Sequence, residues 1–338
     1  MKRMRAVVIT TPGGPEVLEL REVDKPEPSP GYVRVRIRAC AVNRADLLQR
    51  MGFYPAPADA PADIPGLELA GEVDAIGRGV TELAVGDRVF GVVGGGAYAD
   101  FVTAHARTLA KIPSALDFTQ AAAVPEAFIT AYDAMVLQGG LRAGAVALVH
   151  AVGSGVGTAA IQIIRAIGAR SIGTARTEAK LERCRALGLD AGIVPTTAKD
   201  GAPQFATRVR EQCERWAGGK AVDVVLDLVG GSYMPESLLA MSDLGRFVLV
   251  GLLAGTRADV DLGIVLRRRL RIMGTVLRAR PLEEKILAAT CLAHNLAPLF
   301  ASGTLKPVID RVLPLEKAGE AHAYMASNDG FGKLVLTT

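Results

Sequence analysis

The pattern of apolar and polar positions changes character near residue 126. Before it, apolar residues come in short runs that alternate with polar ones. Arg34-Val35-Arg36-Ile37-Arg38 puts apolar side chains on one face and guanidinium groups on the other, the period-2 pattern of a half-buried strand. Glycine and proline clusters punctuate the segment at 12–15, 26–31, 55–66 and 91–96, and no long amphipathic helix is predicted. After residue 126, apolar strands alternate with helical periods. Ala145–His150 reads as a strand, and Val156, Ala159, Ala160, Ile163, Ile164 and Ile167 then recur at helical spacing. Ser171–Ala175, Val222–Asp227 and Arg246–Val250 read as further strands, and Glu178–Leu187 as a helix. This alternation predicts an α/β fold with a doubly wound parallel sheet. It fades near 270, and Pro307–Thr338 reverts to short strands and turns. The expected organisation is a sheet-and-helix domain over 126–269, inserted between the two parts of a strand-rich domain, 1–125 and 270–338. A length of 338 residues also suits two domains at ~100–200 residues each.

One turn in the second texture carries chemistry. Val146–His150, then Ala151-Val152-Gly153-Ser154-Gly155-Val156-Gly157, then Thr158–Gly168 gives strand, glycine turn and helix in order. Unpaired N–H groups at a helix start carry partial positive charge and hold a pyrophosphate, and glycines let the backbone approach it. The G-x-G-x-x-G fingerprint is not met in one register, because Val152 and Ser154 fill the first two slots if Gly157 closes the motif. The flanking strand and helix, with the further strand–helix units, support a dinucleotide site all the same. Gly94-Gly95-Gly96 has no helical pattern after it and reads as a plain turn. The second strand ends in Gly173-Thr174-Ala175-Arg176-Thr177, with no carboxylate before Glu178 to take the ribose hydroxyls of NAD. Arg176 and Lys180 suit a 2′-phosphate, with Thr177 as a hydrogen-bond donor, so NADPH is the expected cofactor.

Composition narrows the remaining classes. Half of the residues are apolar and 22% are charged, which excludes a disordered chain. The net charge of +4 does not by itself imply nucleic acid. The run Arg267-Arg268-Arg269-Leu270-Arg271 reads as a turn before a strand, and it lacks the interleaved aromatics of a single-strand binder. Cysteines 40, 184, 213 and 291 form no CxxC pair and histidines 105, 150, 294 and 322 no ligand spacing. A reducing, cytoplasmic setting is expected. Neither a signal peptide nor a membrane span is expected, because Pro12-Gly13-Gly14 cuts the first apolar run and Gly153, Gly155 and Gly157 cut the uncharged stretch 143–164.

Several segments together resemble the medium-chain dehydrogenase/reductase superfamily over nearly the whole chain. They are Asn43-Arg44-Ala45-Asp46, Pro65-Gly66-Leu67-Glu68-Leu69-Ala70-Gly71, Gly86-Asp87-Arg88-Val89, Ala121-Ala122-Ala123-Val124-Pro125, the glycine turn and Gly332-Lys333-Leu334-Val335. Zinc alcohol dehydrogenases of that superfamily carry Cys-His-x-Asp and Gly-His-Glu. Here Asn43-Arg44 and Leu67 stand at the ligand positions, so no catalytic metal is expected. Asn43–Arg50, Ser154–Gln162 and Gly230-Gly231-Ser232-Tyr233 resemble the zinc-independent quinone oxidoreductases, in particular the subgroup of the tumour-suppressor-inducible NADPH quinone oxidoreductase. The resemblance implies a GroES-like catalytic domain, a Rossmann domain, an active site in the cleft between them, and a homodimer. It places Asn43, Tyr54 and Thr130 near the nicotinamide, and Ser154, Gly155 and Val156 at the pyrophosphate turn. Thr174 falls at the end of the second strand and Lys180 near the 2′-phosphate. Gly251 falls beside the nicotinamide and Lys333 near the cofactor. Pro195 departs from the family, which often has a tyrosine near the 2′-phosphate.

The implied reaction is quinone reduction with no metal, in which Tyr54 and Asn43 position the quinone by hydrogen bonding. Two alternatives remain open. Tyr54 in Gly52-Phe53-Tyr54-Pro55 also suits the proton donor of an enoyl thioester or enal reductase. An NADPH-binding, RNA-interacting factor would rest on the arginines at 267–271.

Overall fold

The computed structural model describes residues 2–199, 201–216 and 221–338. The chain divides into two compact units, one of residues 1–129 and 277–338, the other of 130–276.

The first unit is built on a seven-stranded sheet. In order its strands are Ile309–Pro314, Lys333–Thr337, Tyr32–Val42, Glu68–Ile76, Arg88–Val92 and Leu109–Lys111, with Phe101–His105 paired to Tyr32–Val42. The alternation at 34–38 does form a strand. Val33, Val35 and Ile37 lie in the core, while Arg36 and Arg38 reach solvent and Arg38 pairs across to Glu72 at 2.7 Å. Past Ile37 the strand is buried on both faces, from Ala39 to Val42, and this delivers Asn43 to the interior edge of the sheet. Arg3–Ile9 and Leu18–Asp24 form a separate antiparallel pair.

The second unit holds six parallel strands. Their order is Ala191–Ile193, Arg170–Thr174, Val146–Val149, Val222–Asp227, Met241–Leu249 and Arg271–Gly274. Counted along the chain this is 3-2-1-4-5-6, the Rossmann order, whose direction reverses between the first and fourth strands. In sheets of this order the dinucleotide crevice lies at that reversal, here at the carboxyl ends of Val146–Val149 and Val222–Asp227. The α/β, doubly wound expectation holds.

Some elements differ from the sequence reading. The fifth strand begins at Met241, five residues before the expected Arg246. The segment 270–338, assigned to the strand-rich domain, also contains helices Leu282–Cys291 and, within the part read as short strands and turns, Ala318–Ser327. The second of these buries only Ala318, Ala321 and His322, a stripe too small and too polar to register as an apolar period. The arginine run caps helix Leu262–Arg268, with Arg269 left-handed at φ 51°, and leads into strand Arg271–Gly274. Among the described residues, no helix is long and apolar enough to cross a membrane.

Candidate active site

In the first unit the polar residues of the motifs meet around one buried carboxylate. Glu68 opens strand Glu68–Ile76 and is fully buried. Its Oε1 accepts from Lys333 Nζ at 2.7 Å and from Asn43 Nδ2 at 2.8 Å, and its Oε2 accepts from the backbone N–H of Glu126 at 2.8 Å. Asn43 bridges the ion pair, because its Oδ1 accepts from Lys333 Nζ at 2.6 Å. An ammonium only donates and a carboxylate only accepts, so these two neighbours fix the orientation of the amide. The third Lys333 donor goes to Val42 O at 3.2 Å. A buried charge pair needs this degree of satisfaction to offset its desolvation.

Asn43 is also the N-cap of helix Arg44–Arg50, where its backbone N–H donates to Asp46 Oδ2 at 2.8 Å. Asp46 accepts in addition from Gly66 N at 3.2 Å and from the Tyr98 hydroxyl at 3.3 Å. Burial pushes its carboxyl up to about 6, against these hydrogen bonds. The loop after the helix carries Tyr54, which is partly buried. Burial raises the Tyr54 phenol above its ordinary range, so it remains a hydrogen-bond donor. Arg278 lies 5.3 Å from the Tyr54 ring centroid. Its guanidinium also donates to Tyr54 O at 3.2 Å, Gly94 O at 2.7 Å and Gln49 Oε1 at 2.7 Å. Tyr54 is therefore held on both backbone and ring.

In the second unit the glycine turn forms a phosphate cradle. Ser154 is the N-cap of helix Gly155–Ile167, and its Oγ accepts from Gly157 N at 3.1 Å. The N–H groups of Gly155 and Val156 come first in the helix and so have no carbonyl partner within it. A Cβ on Gly157 would lie 2.5 Å from Val152 O, so only glycine permits the close approach of helix to strand. The cradle fits a pyrophosphate. Arg176 is exposed beyond the second strand, Thr177 caps helix Glu178–Ala186 and Lys180 sits in that helix's first turn. The Thr177 hydroxyl accepts from Lys180 N at 3.4 Å.

Thr174 is turned inward, 1% exposed, with its hydroxyl 2.9 Å from His150 Nδ1. Ser237 Oγ donates to Tyr233 O at 2.8 Å, so the 2.8 Å contact from His150 Nε2 to Ser237 is a donation by the histidine. His150 is thus a neutral Nε2–H tautomer that accepts from Thr174, and burial depresses its pKa to about 4. It closes the first strand as a core polar residue. Gly251 follows the fifth strand, where a Cβ would meet Leu228 O at 2.4 Å. Thr130 lies partly exposed on helix Pro125–Tyr132.

The predicted residues therefore fall into two groups: Asn43, Tyr54 and Lys333 in the first unit, and Thr130, Ser154, Gly155, Val156, Thr174, Arg176, Thr177, Lys180 and Gly251 in the second, where Thr174 is turned inward to His150. The donors of Lys333 are spent on Glu68, Asn43 and Val42, so it bears on the site through Asn43. Sequence reasoning missed Glu68, Glu126 and Arg278 as site residues. Glu68 stood inside a quoted motif, and Glu126 was the one charge in the apolar run 121–129. Arg278 left no signal, since its partners lie at least 184 positions away.

The donor set does not fit a zinc ion. Asn43 and Glu68 are tied to Lys333, Leu67 offers no donor, and the fully buried Cys40 thiol is pushed up by burial and held neutral. Among the described residues, no three His, Cys, Asp or Glu side chains are grouped to hold a metal.

Comparison with known proteins agrees with this architecture. Residues 29–114 match the alcohol dehydrogenase GroES-like domain, and residues 196–336 match the family described as zinc-binding dehydrogenase. The chain is 32% identical over 341 residues to the quinone oxidoreductase of Homo sapiens, covering 99% of this chain and 98% of that protein. It is 39% identical over 310 residues to the polyketide synthase GfsB of Streptomyces halstedii, covering 91% of this chain and 5% of that far longer protein. A mycobacterial protein solved in complex with NADPH superposes with a TM-score of 0.85 at 29% identity, covering 99% of this chain and all of that one. The chain belongs to the medium-chain dehydrogenase/reductase superfamily, as an NAD(P)-dependent, quinone oxidoreductase-like oxidoreductase.

Proposed function

We propose that the protein is an NADPH-dependent quinone reductase that works without a metal and falls in the tumour-suppressor-inducible subgroup. The observation that carries this reading is the hydrogen-bonding set of Asn43, Lys333 and Glu68, in which Asn43, at a position where zinc relatives carry a ligand, is tied instead to an ion pair. A quinone accepts hydride without a Lewis acid, so such a set suffices for it. When bound, the nicotinamide supplies the hydride. The chain's own residues orient and bind: Asn43 is locked by its ion pair and Tyr54 by Arg278, so both are preorganised. Gly155 and Val156 N–H groups would hold the pyrophosphate. Arg176, Thr177 and Lys180, with no carboxylate at the strand end, support NADPH over NADH.

Stopped-flow oxidation of NADPH and NADH against a panel of quinones, enals and enoyl thioesters tests the reading. Quinones with NADPH should give the highest kcat/KM. Combining Arg176→Ala with Lys180→Ala should raise KM for NADPH about tenfold or more and leave that for NADH nearly unchanged. A preference for enoyl thioesters would overturn the choice of substrate. That second reading is favoured by the Tyr54 phenol, which is held protonated and fixed, and by the likeness to a polyketide synthase.

The proposal includes a homodimer. Strand Arg271–Gly274 is the edge of the six-stranded sheet, and it is flanked by exposed Leu262, Leu266, Ile272 and Val276. An open edge beside an apolar surface suits pairing with a second copy.

A further inference from the structure

We propose that the second unit carries a separate anion site at the amino end of its parallel sheet, and that this site takes a small phosphate ester. A cavity of about 690 Å³ opens there, lined entirely from within that unit. Its walls are the starts of strands Val146–Val149, Val222–Asp227 and Met241–Leu249, the turn that precedes the first of them, and the side chains of Arg210 and Arg268. The glycine turn stands at the other, carboxyl end of the same sheet. At ~3.3 Å per residue, the six residues of Val222–Asp227 set the two ends roughly 17 Å apart. The inference does not depend on the reductase reading.

The first observation is charge. Arg142, Arg210, Arg246 and Arg268 line the cavity together with two carboxylates, Asp223 and Asp243, which leaves an excess of two positive charges. A concave wall of one sign focuses its field and concentrates counter-ions. Asp223 is already engaged: its Oδ2 accepts from Val146 N at 2.9 Å and its Oδ1 from Ser242 Oγ at 3.2 Å.

The second is the way the arginines are held. Arg246 is half-buried, and its Nη1 donates to Gln138 O at 3.2 Å. Its guanidinium lies over Gly140, where a Cβ would collide with Nη1. Arg268 is also half-buried, and its Nη1 is shared among the carbonyls of Leu238, Leu239 and Met241 at 3.2, 3.0 and 2.7 Å, where helix Tyr233–Ala240 ends. Each guanidinium is thus pinned through one nitrogen, and among the described residues its Nε and Nη2 donors have no partner. Arg142 and Arg210 are exposed and make no hydrogen bond or ion pair among the described residues. Planar N–H forks of this kind match phosphate oxygens two at a time.

The third is shape. The volume falls in the range of small-molecule sites, ~300–1,000 Å³, and exceeds what a phosphate ion fills, so there is room for an organic group. No aromatic side chain lines the cavity, so a nucleobase would have nothing to stack on. The excess of two charges matches the dianion of a phosphate monoester. Of the arginine run 267–271, Arg268 alone lines the cavity, which gives that run a role the turn reading did not.

Calorimetry with ribose 5-phosphate tests the proposal, with NADPH present at saturation so that the dinucleotide site is filled. The ester should bind with a Kd of about 1 mM or tighter. It should bind about tenfold more tightly than inorganic phosphate, and ribose should not bind. Combining Arg142→Ala with Arg210→Ala should weaken the ester about tenfold or more, while Arg267→Ala, outside the cavity, should leave it unchanged. Wild-type NADPH affinity and thermal unfolding would show that the variants are folded. Arg210→Ala alone, which removes one exposed side chain, should weaken the ester as well and keeps the test available if the double variant is unstable. The proposal is overturned if NADPH abolishes binding of the ester, if the double variant binds it at wild-type strength, or if inorganic phosphate binds equally well.

Discussion

Arg278 is 6% exposed and spends its guanidinium on Tyr54 O, Gly94 O and Gln49 Oε1. Each is a hydrogen bond to a charged donor, worth ~1.5–3 kcal/mol and not additive. Arg278→Met removes all three while keeping most of the volume. It should lower stability by about 3 kcal/mol and raise KM for the quinone about tenfold, with NADPH affinity unchanged. Titrations by NADPH fluorescence beside steady-state kinetics would check this split. A fall in NADPH affinity equal to the rise in KM would assign Arg278 a general structural role instead. If Tyr54→Phe and Tyr54→Ala both leave kcat/KM intact, the side chain held by Arg278 has no part in the reaction.

At the scale of elements, the turn between strand Val146–Val149 and helix Gly155–Ile167 is defined by how closely the two approach. The missing Cβ of Gly157 is what allows Val152 to lie against the helix start. In Gly157→Ala the added carbon would meet three backbone atoms of Val152 within 2.6 Å, so the helix start must shift. Overpacking of this kind costs roughly 1–3 kcal/mol. Displacement of the Gly155 and Val156 N–H groups should weaken NADPH binding about tenfold or more, measured by calorimetry. NADPH binding at wild-type strength in this variant would show that the pyrophosphate lies elsewhere. The departure from G-x-G-x-x-G at Val152 and Ser154 is thereby explained: Val152 packs against the glycine, and Ser154 caps the helix whose N–H groups are needed.

At the scale of the whole molecule, the open question is what covers the sheet edge at Arg271–Gly274. Ile272 is 40% exposed, on the outermost strand of the six-stranded sheet, and Leu266 is 79% exposed. If two copies join there, Ile272→Lys with Leu266→Glu should convert a dimer into monomers in sedimentation velocity, since charges on an edge oppose pairing. A wild type that is monomeric at micromolar concentration, or a dimer that survives both substitutions, would place the contact elsewhere.

Much of this was legible in the sequence because it is local. Alternation at 34–38, helical periods after 155 and strand–glycine–helix order depend on neighbours along the chain, and each formed the element it predicted. The absence of a carboxylate at 173–177 and of zinc ligands at 43, 44 and 67 is likewise written in single positions. What tertiary structure decided is which charges meet. Glu68 and Lys333 are 265 positions apart, and only the register of strands Tyr32–Val42, Glu68–Ile76 and Lys333–Thr337 brings them within 2.7 Å. The same packing sets the Glu126 backbone N–H on Glu68 and turns Thr174 inward to His150. Periodicity encodes which face of an element is buried. It does not encode which polar groups share that burial, and the cost of desolvating a charge makes that pairing set the chemistry.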